Sequence, residues 1–242
     1  MTTRKRADVL LVERGLFDSR TRAQAAIAAG LVTADGVMLR KASESISADA
    51  QIEASDHPWV SRGALKLIAA LDHFGFDPSG RVCLDVGAST GGFTEVLLAR
   101  GARHVYAVDV GRDQLHARLR GDPRVTSLEE TDIRTLDPAR LAEPPDFATV
   151  DVSFISLKLV LPALGRLLPR PAQLVALIKP QFEAGRAHLK KGIVRDPAVH
   201  TAVCDDIVAF AASLGWQVSG IISSPIEGGE GNKEFLLGAR MH

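Results

Sequence analysis

The chain reads as an α/β protein. A Rossmann-like, mostly parallel sheet occupies residues 61–242, a small α+β domain occupies residues 1–56, and residues 57–60 link them. Three observations predict this. Short apolar runs recur at Val82–Val86, His104–Val108, Val125–Leu128, Phe147–Val150 and Leu174–Ile178, with helical periodicity between several of them, as expected for strands buried on both faces of a parallel sheet. After the first run, Gly87, Gly91 and Gly92 crowd into six residues and the apolar-periodic Phe93–Ala99 follows, giving strand, glycine turn and helix in order. Finally, residues 1–41 carry eight Lys or Arg against four acids, although the whole chain is neutral.

The first domain is read from its turns. Residues 6–14 form a short helix ended by Gly15, and a second runs from a cap at Asp18 or Ser19 through Ala29 to a stop at Gly30. Leu31–Ala34 and Val37–Arg40 flank Asp35-Gly36, a strong hairpin signal, and a third strand lies near Gln51–Glu53. Pro58 forbids a continuous helix through the linker, and Trp59 anchors the junction by burial. The two cysteines, Cys83 and Cys204, have no metal spacing and read as reduced core thiols. The chain shows neither a signal-like apolar segment nor an apolar run of about 18 residues, so a soluble cytoplasmic protein is expected, without membrane or metal.

The glycine turn does not have the G-x-G-x-x-G spacing of dinucleotide sites. It reads D-x-G-x-x-x-G-G from Asp85, and an acid there suits an ammonium or a sulfonium better than a pyrophosphate. It resembles the first motif of class I S-adenosylmethionine methyltransferases. That resemblance implies a seven-stranded sheet with the last strand antiparallel, and S-adenosylmethionine bound by Asp85, Gly87, Ala88, Ser89, Gly91, Gly92 and Phe93. Asp109, at the end of the second strand, suits a ribose diol. Asp132 and Ile133 match the family's adenine contacts, and Asp151, ending the fourth strand, faces the ligand crevice. A helix with Leu157, Val160, Leu161 and Leu164 follows, kinked at Pro162.

Lys179 directly follows five apolar residues, which is hard to read as surface decoration. Residues 185–197 are polar and basic and suit a mobile substrate loop. The glycine-rich stretch 224–232 carries Glu227 and Glu230, which argue against a phosphate cradle. Ser61-Arg62 and Lys66-Leu67, just ahead of the glycine-turn strand, resemble the opening of FtsJ-like RNA 2′-O-methyltransferases, whose K-D-K-E set falls here on Lys66, Asp151, Lys179 and Glu234. The N-terminal segments Arg14–Leu16, Ser19–Arg22, Ala29–Val32 and Asp35–Val37 resemble the alpha-L RNA-binding module. Together with Lys190–Pro197, the chain resembles the TlyA family of ribosomal RNA 2′-O-methyltransferases, some of which are named hemolysins. One departure is Gly63-Ala64-Leu65, where a second glycine is expected.

The resemblance implies that Arg4, Arg6, Arg20, Arg22 and Lys41, with Lys190, Lys191 and Arg195, meet ribosomal RNA phosphates. It also implies Lys179 as the base or orienting group for a ribose hydroxyl. Asp151 and Lys66 tune it, and Glu234 orients Lys66 or the ribose. Three rivals remain. A base methyltransferase usually shows N/D-P-P-Y/F or a nucleophilic cysteine, against Asp151-Val152-Ser153-Phe154 here. A non-enzymatic RNA-binding or assembly factor would have no use for the K-D-K-E set. A membrane-active hemolysin calls for a strongly basic amphipathic helix that this chain lacks.

Overall fold

A computed structural model describes residues 3–28, 30–54 and 59–242. The chain divides into two compact units, residues 1–58 and 59–242. Ala29, at the predicted end of the second helix, and residues 55–58, in and beside the predicted linker, lie outside the described residues.

In the first unit, β1 (Arg4–Arg6), α1 (Ala7–Glu13), α2 (Arg20–Ala28), β2 (Val32–Ala34), β3 (Val37–Met38), β4 (Ser45–Ser47) and β5 (Ile52–Ala54) follow in order. Asp35 and Gly36 have φ of 51° and 75°, so both central residues of the β2–β3 turn are left-handed, which matches the twist of a two-residue hairpin. β5 pairs with the other edge of β2. Ala7, Leu10, Leu11, Phe17, Ala23, Ile27 and Val32 form the core. β1 and β4 pair antiparallel in a separate ribbon that the sequence did not suggest, because Arg-Lys-Arg has no apolar alternation.

The second unit contains α3 (Ala64–Phe74), β6 (Val82–Val86), α4 (Gly92–Ala99), β7 (His104–Val108), α5 (Ala117–Arg120), β8 (Val125–Leu128), β9 (Phe147–Val150), α6 (Leu157–Leu167), β10 (Ala172–Ile178), α7 (Pro180–Glu183), α8 (Pro197–Ser213), β11 (Gln217–Ser223) and β12 (Phe235–Met241). Seven strands form one sheet in the order β11-β12-β10-β9-β6-β7-β8, and β12, the last in sequence, is the antiparallel one. All five residues of β6 are buried, as both covered faces require. One core cluster joins α6 and α8 to one face, and a second joins α3 and α4 to the other, with Trp59 packed at its edge. α6 begins at a Ser156 cap and continues through Pro162 to Leu167. Cys83 and Cys204 are buried, free thiols.

Among the described residues, no helix is long and apolar enough to cross a membrane.

Candidate active site

Topology assembles the site. β6, β9 and β10 are parallel neighbours, so the residues after them, Gly87, Asp151 and Lys179, emerge at one edge of the sheet. β12 runs the other way, with Phe235 opposite Ile178, so Glu234 arrives at that same edge beside Lys179. α3 brings Lys66 across the sheet to Glu234.

Two buried ion pairs result. Lys66 Nζ lies 2.5 Å from Glu234 Oε2, with side chains 10% and 3% exposed. Lys179 Nζ lies 2.6 Å from Asp151 Oδ1, with side chains 10% and 21% exposed. Lys179 also donates to Ser153 Oγ at 2.9 Å. The Asp151 oxygen that meets Lys179 is buried, and the lysine ammonium compensates its charge. Of the two roles expected for Glu234, the structure shows the contact with Lys66, whose positive charge it offsets locally. The glycine-rich stretch has a packing role, since a Cβ on Gly228 would overlap the Glu234 carboxylate.

A cavity of about 510 Å³ lies beside the pairs, lined by Gly87, Ser89, Asp109, Val110, Asp132, Ile133 and Asp151, among others. Gly87 has φ of 82°, and a Cβ there would overlap the Asp151 carbonyl, so the turn and strand ends close only around glycine. Asp109 accepts from the N–H groups of Ser89 (2.8 Å) and Gly111 (2.7 Å), which fixes its carboxylate at the cavity wall. Asp132 accepts from the backbone N–H of Arg134 and from its guanidinium, which holds the carboxyl below the usual range. An amino group approaching Asp132 therefore shares it with Arg134. A smaller cavity of about 160 Å³ continues past Ala88, Ser89, Gly92, Phe93 and Asp151.

Two expected contacts differ. Asp85 lines neither cavity: it is fully buried inside β6, and its oxygens accept from Thr94 Oγ1 (2.7 Å) and Thr149 Oγ1 (2.8 Å). It lies one residue short of the strand end and ties β6 to α4 and β9. Gly91, with φ of 98°, also faces inward, and a Cβ there would overlap Leu115 and Leu119.

Burial pushes the Asp85 carboxyl up to about 6. A carboxyl raised on folding stabilises most below its unfolded value near 4, and that contribution is lost as pH rises through about 6, an effect of the order of 3 kcal/mol. The melting temperature of Asp85→Asn is therefore expected to fall less than the parent's between pH 4.5 and 7.5. Parallel curves would show that Asp85 does not titrate in this window.

A third cavity, of about 440 Å³, lies on the other side of Lys179, lined by Ser153, Phe154, Lys179, Gln181, Phe182, Leu189, Asn232 and Glu234, among others. Phe154 is 91% exposed, has φ of 65° and sits 5.0 Å from the Phe182 ring. An exposed aromatic held in left-handed backbone costs of order 1–3 kcal/mol, so the surrounding structure must impose it. Ser153, Phe154, Gln181 and Phe182 were not singled out in the sequence; the only signal was their adjacency to Asp151 and Lys179. The expected mobile loop is anchored: buried Asn232 donates to Gly192 O at 3.2 Å and accepts from Val194 N at 3.4 Å, leaving Lys190, Lys191 and Arg195 exposed.

The N-terminal cations are less available than the sequence suggested. Arg6 and Arg20 both donate to Asp8, and Arg22 donates to Asp18 at 2.8 Å. Arg4 Nε donates to Ser45 Oγ at 3.4 Å, and Lys41 is exposed.

Residues 59–241 match the family model of the FtsJ-like methyltransferases. The chain belongs to that family. Among FtsJ-like relatives, Bacillus subtilis YqxC is 49% identical over 98% of this chain and 86% of its own. The 16S/23S rRNA (cytidine-2′-O)-methyltransferase TlyA of Mycobacterium tuberculosis is 46% identical over 99% of this chain and 91% of its own. A solved structure of a hemolysin-named protein from Streptococcus thermophilus is 44% identical, with a TM-score of 0.77 over all of this chain and 90% of that one. The FtsJ-like unit thus carries the two ion pairs and all three cavities.

Proposed function

We infer that this protein transfers a methyl group from S-adenosylmethionine to a ribose 2′-hydroxyl of ribosomal RNA, that of a cytidine. The observation that carries this reading is the buried Lys179–Asp151 pair, with Asp151 on the wall of a nucleoside-sized cavity and Lys179 on that of the aromatic-walled third cavity, which Glu234, paired with Lys66, also lines. The family membership and the printed activity of the M. tuberculosis relative support it.

The first cavity fits the cofactor. Gly87 lets the turn close on Asp151 and lines the cavity, Asp109 offers a carboxylate to a ribose diol, and Val110, Ile133 and Val152 offer apolar cover for a base. S-Adenosylmethionine supplies an electrophilic sulfonium methyl when bound. Lys179 Nζ, held by Asp151 and Ser153, meets the 2′-hydroxyl as its base or orienting group. The Lys66–Glu234 pair places the Glu234 carboxylate on the wall of the third cavity, where it orients the ribose. Phe154 and Phe182 offer apolar faces to the nucleotide. Much of the acceleration comes from holding the hydroxyl in near-attack geometry. The N-terminal unit acts as an alpha-L RNA-binding domain, and exposed Lys190, Lys191 and Arg195 extend its phosphate contacts.

Ribosomal subunits incubated with methyl-labelled S-adenosylmethionine should take up label into alkali-resistant dinucleotides, because a 2′-O-methyl blocks strand cleavage at its own phosphate. Label released as mononucleotides would place the methyl on a base. Asp109→Ala is expected to weaken S-adenosylmethionine binding about 10- to 100-fold by calorimetry. Parent-like affinity in that variant would remove Asp109 from the site.

A further inference from the structure

Asp8 is the second residue of α1, yet its side chain is wholly buried. Four donors converge on its carboxylate. Arg6 Nε reaches Oδ1 at 3.0 Å, and Arg6 Nη2, Arg20 Nη2 and Gln24 Nε2 reach Oδ2 at 3.1, 2.8 and 2.8 Å. One anion therefore binds the basic ribbon strand β1, the start of α1 and the first turn of α2. The two guanidiniums share an acceptor oxygen, so they lie side by side, and their side chains remain 51% and 55% exposed. Part of each guanidinium is bound to Asp8 and the rest of the side chain meets solvent. Arginine loses rotamer freedom when it is ordered, and here the contacts to Asp8 order both side chains in the folded unit.

We propose that Asp8 is a positioning residue that clamps Arg6 and Arg20 into one preorganised fork for an RNA backbone phosphate. The proposal rests on the reading of this chain as an RNA-modifying protein; the resemblance already implied that Arg6 and Arg20 meet phosphates, and what the fold adds is Asp8 as the group that positions them. A guanidinium pair held at fixed separation presents parallel N–H donors to two oxygens of one phosphate. Loose arginines would supply the same charge without that geometry.

The test turns on sign. Asp8→Asn removes a negative charge beside two arginines, so charge counting predicts tighter RNA binding. The fork predicts weaker binding, by about tenfold at fixed moderate salt. The full-length chain is titrated with two probes, bacterial ribosomal subunits and an RNA duplex of arbitrary sequence, after melting curves establish the folded fraction. In turnover on subunits, the loss should appear in KM. Binding that is unchanged or tighter, or a loss that vanishes once corrected for unfolded protein, would overturn the proposal and leave Asp8 a structural residue. Arg6→Lys combined with Arg20→Lys guards against a variant that fails to fold. It keeps the net charge and Asp8 but breaks the fork, and a comparable loss is expected; parent-like affinity would overturn the fork. If the parent binds both probes and the variants lose affinity, but subunits acquire no methyl groups, the fork stands and the methyltransferase reading fails. A parent that binds neither probe overturns the fork itself.

Discussion

Lys179→Arg is expected to slow single-turnover methyl transfer by roughly 10²–10⁴ while leaving S-adenosylmethionine and RNA affinities close to the parent's. Lys179 follows the fully apolar end of β10 and contacts both Asp151 and Ser153. If the pair served only stability, arginine would suffice, because it keeps the charge beside Asp151. Guanidinium never yields a neutral nitrogen at ordinary pH, and its planar fork does not reproduce a compact ammonium flanked by a carboxylate and a hydroxyl. Lys179→Ala should be at least as slow. A near-parent rate for Lys179→Arg would refute the base role, and a near-parent rate for Lys179→Ala would remove Lys179 from the mechanism.

The second large effect separates stability from activity at Lys66 and Glu234. This pair is the more deeply buried of the two, and Gly228 leaves room for the carboxylate. Removing one partner leaves an uncompensated buried charge, so Lys66→Met or Glu234→Leu alone should destabilise the FtsJ-like unit by about 3–5 kcal/mol. The double variant Lys66→Met/Glu234→Leu replaces both charges with apolar groups of similar volume and should recover most of that loss in denaturant melts. Its methyl transfer should stay impaired, because the third cavity has lost the Glu234 carboxylate. A double variant both stable and active would make the pair structural only.

The parallel strands were legible in the sequence because burial on both faces writes them as unbroken apolar runs, and the strand-end residues Asp109, Asp151 and Lys179 stand out as charges where such runs stop. The β1–β4 ribbon was illegible: three basic residues pair with Ser45–Ser47, where Ile46 alone turns into the core, too short a pattern to read as a strand. Lys66 and Glu234 were each visible, but their contact spans 168 residues and depends on β12 running antiparallel, which no local pattern encodes. Asp85 was misplaced for a related reason. A motif fixes its position in the chain, whereas its role follows from the pleat, which turns it toward Thr94 and Thr149. In the sequence Asp8 is only one of four acids among residues 1–41, and the fold shows two arginines closing over it.

Nucleoside analysis tests the central claim most directly. Ribosomal subunits lacking the modification are incubated with S-adenosylmethionine and either the parent protein or Lys179→Ala, and their RNA is digested to nucleosides for mass spectrometry. The account predicts a gain of 2′-O-methylcytidine with the parent and none with the variant. A gain of base-methylated nucleoside, or an equal gain of 2′-O-methylcytidine with Lys179→Ala, would contradict it.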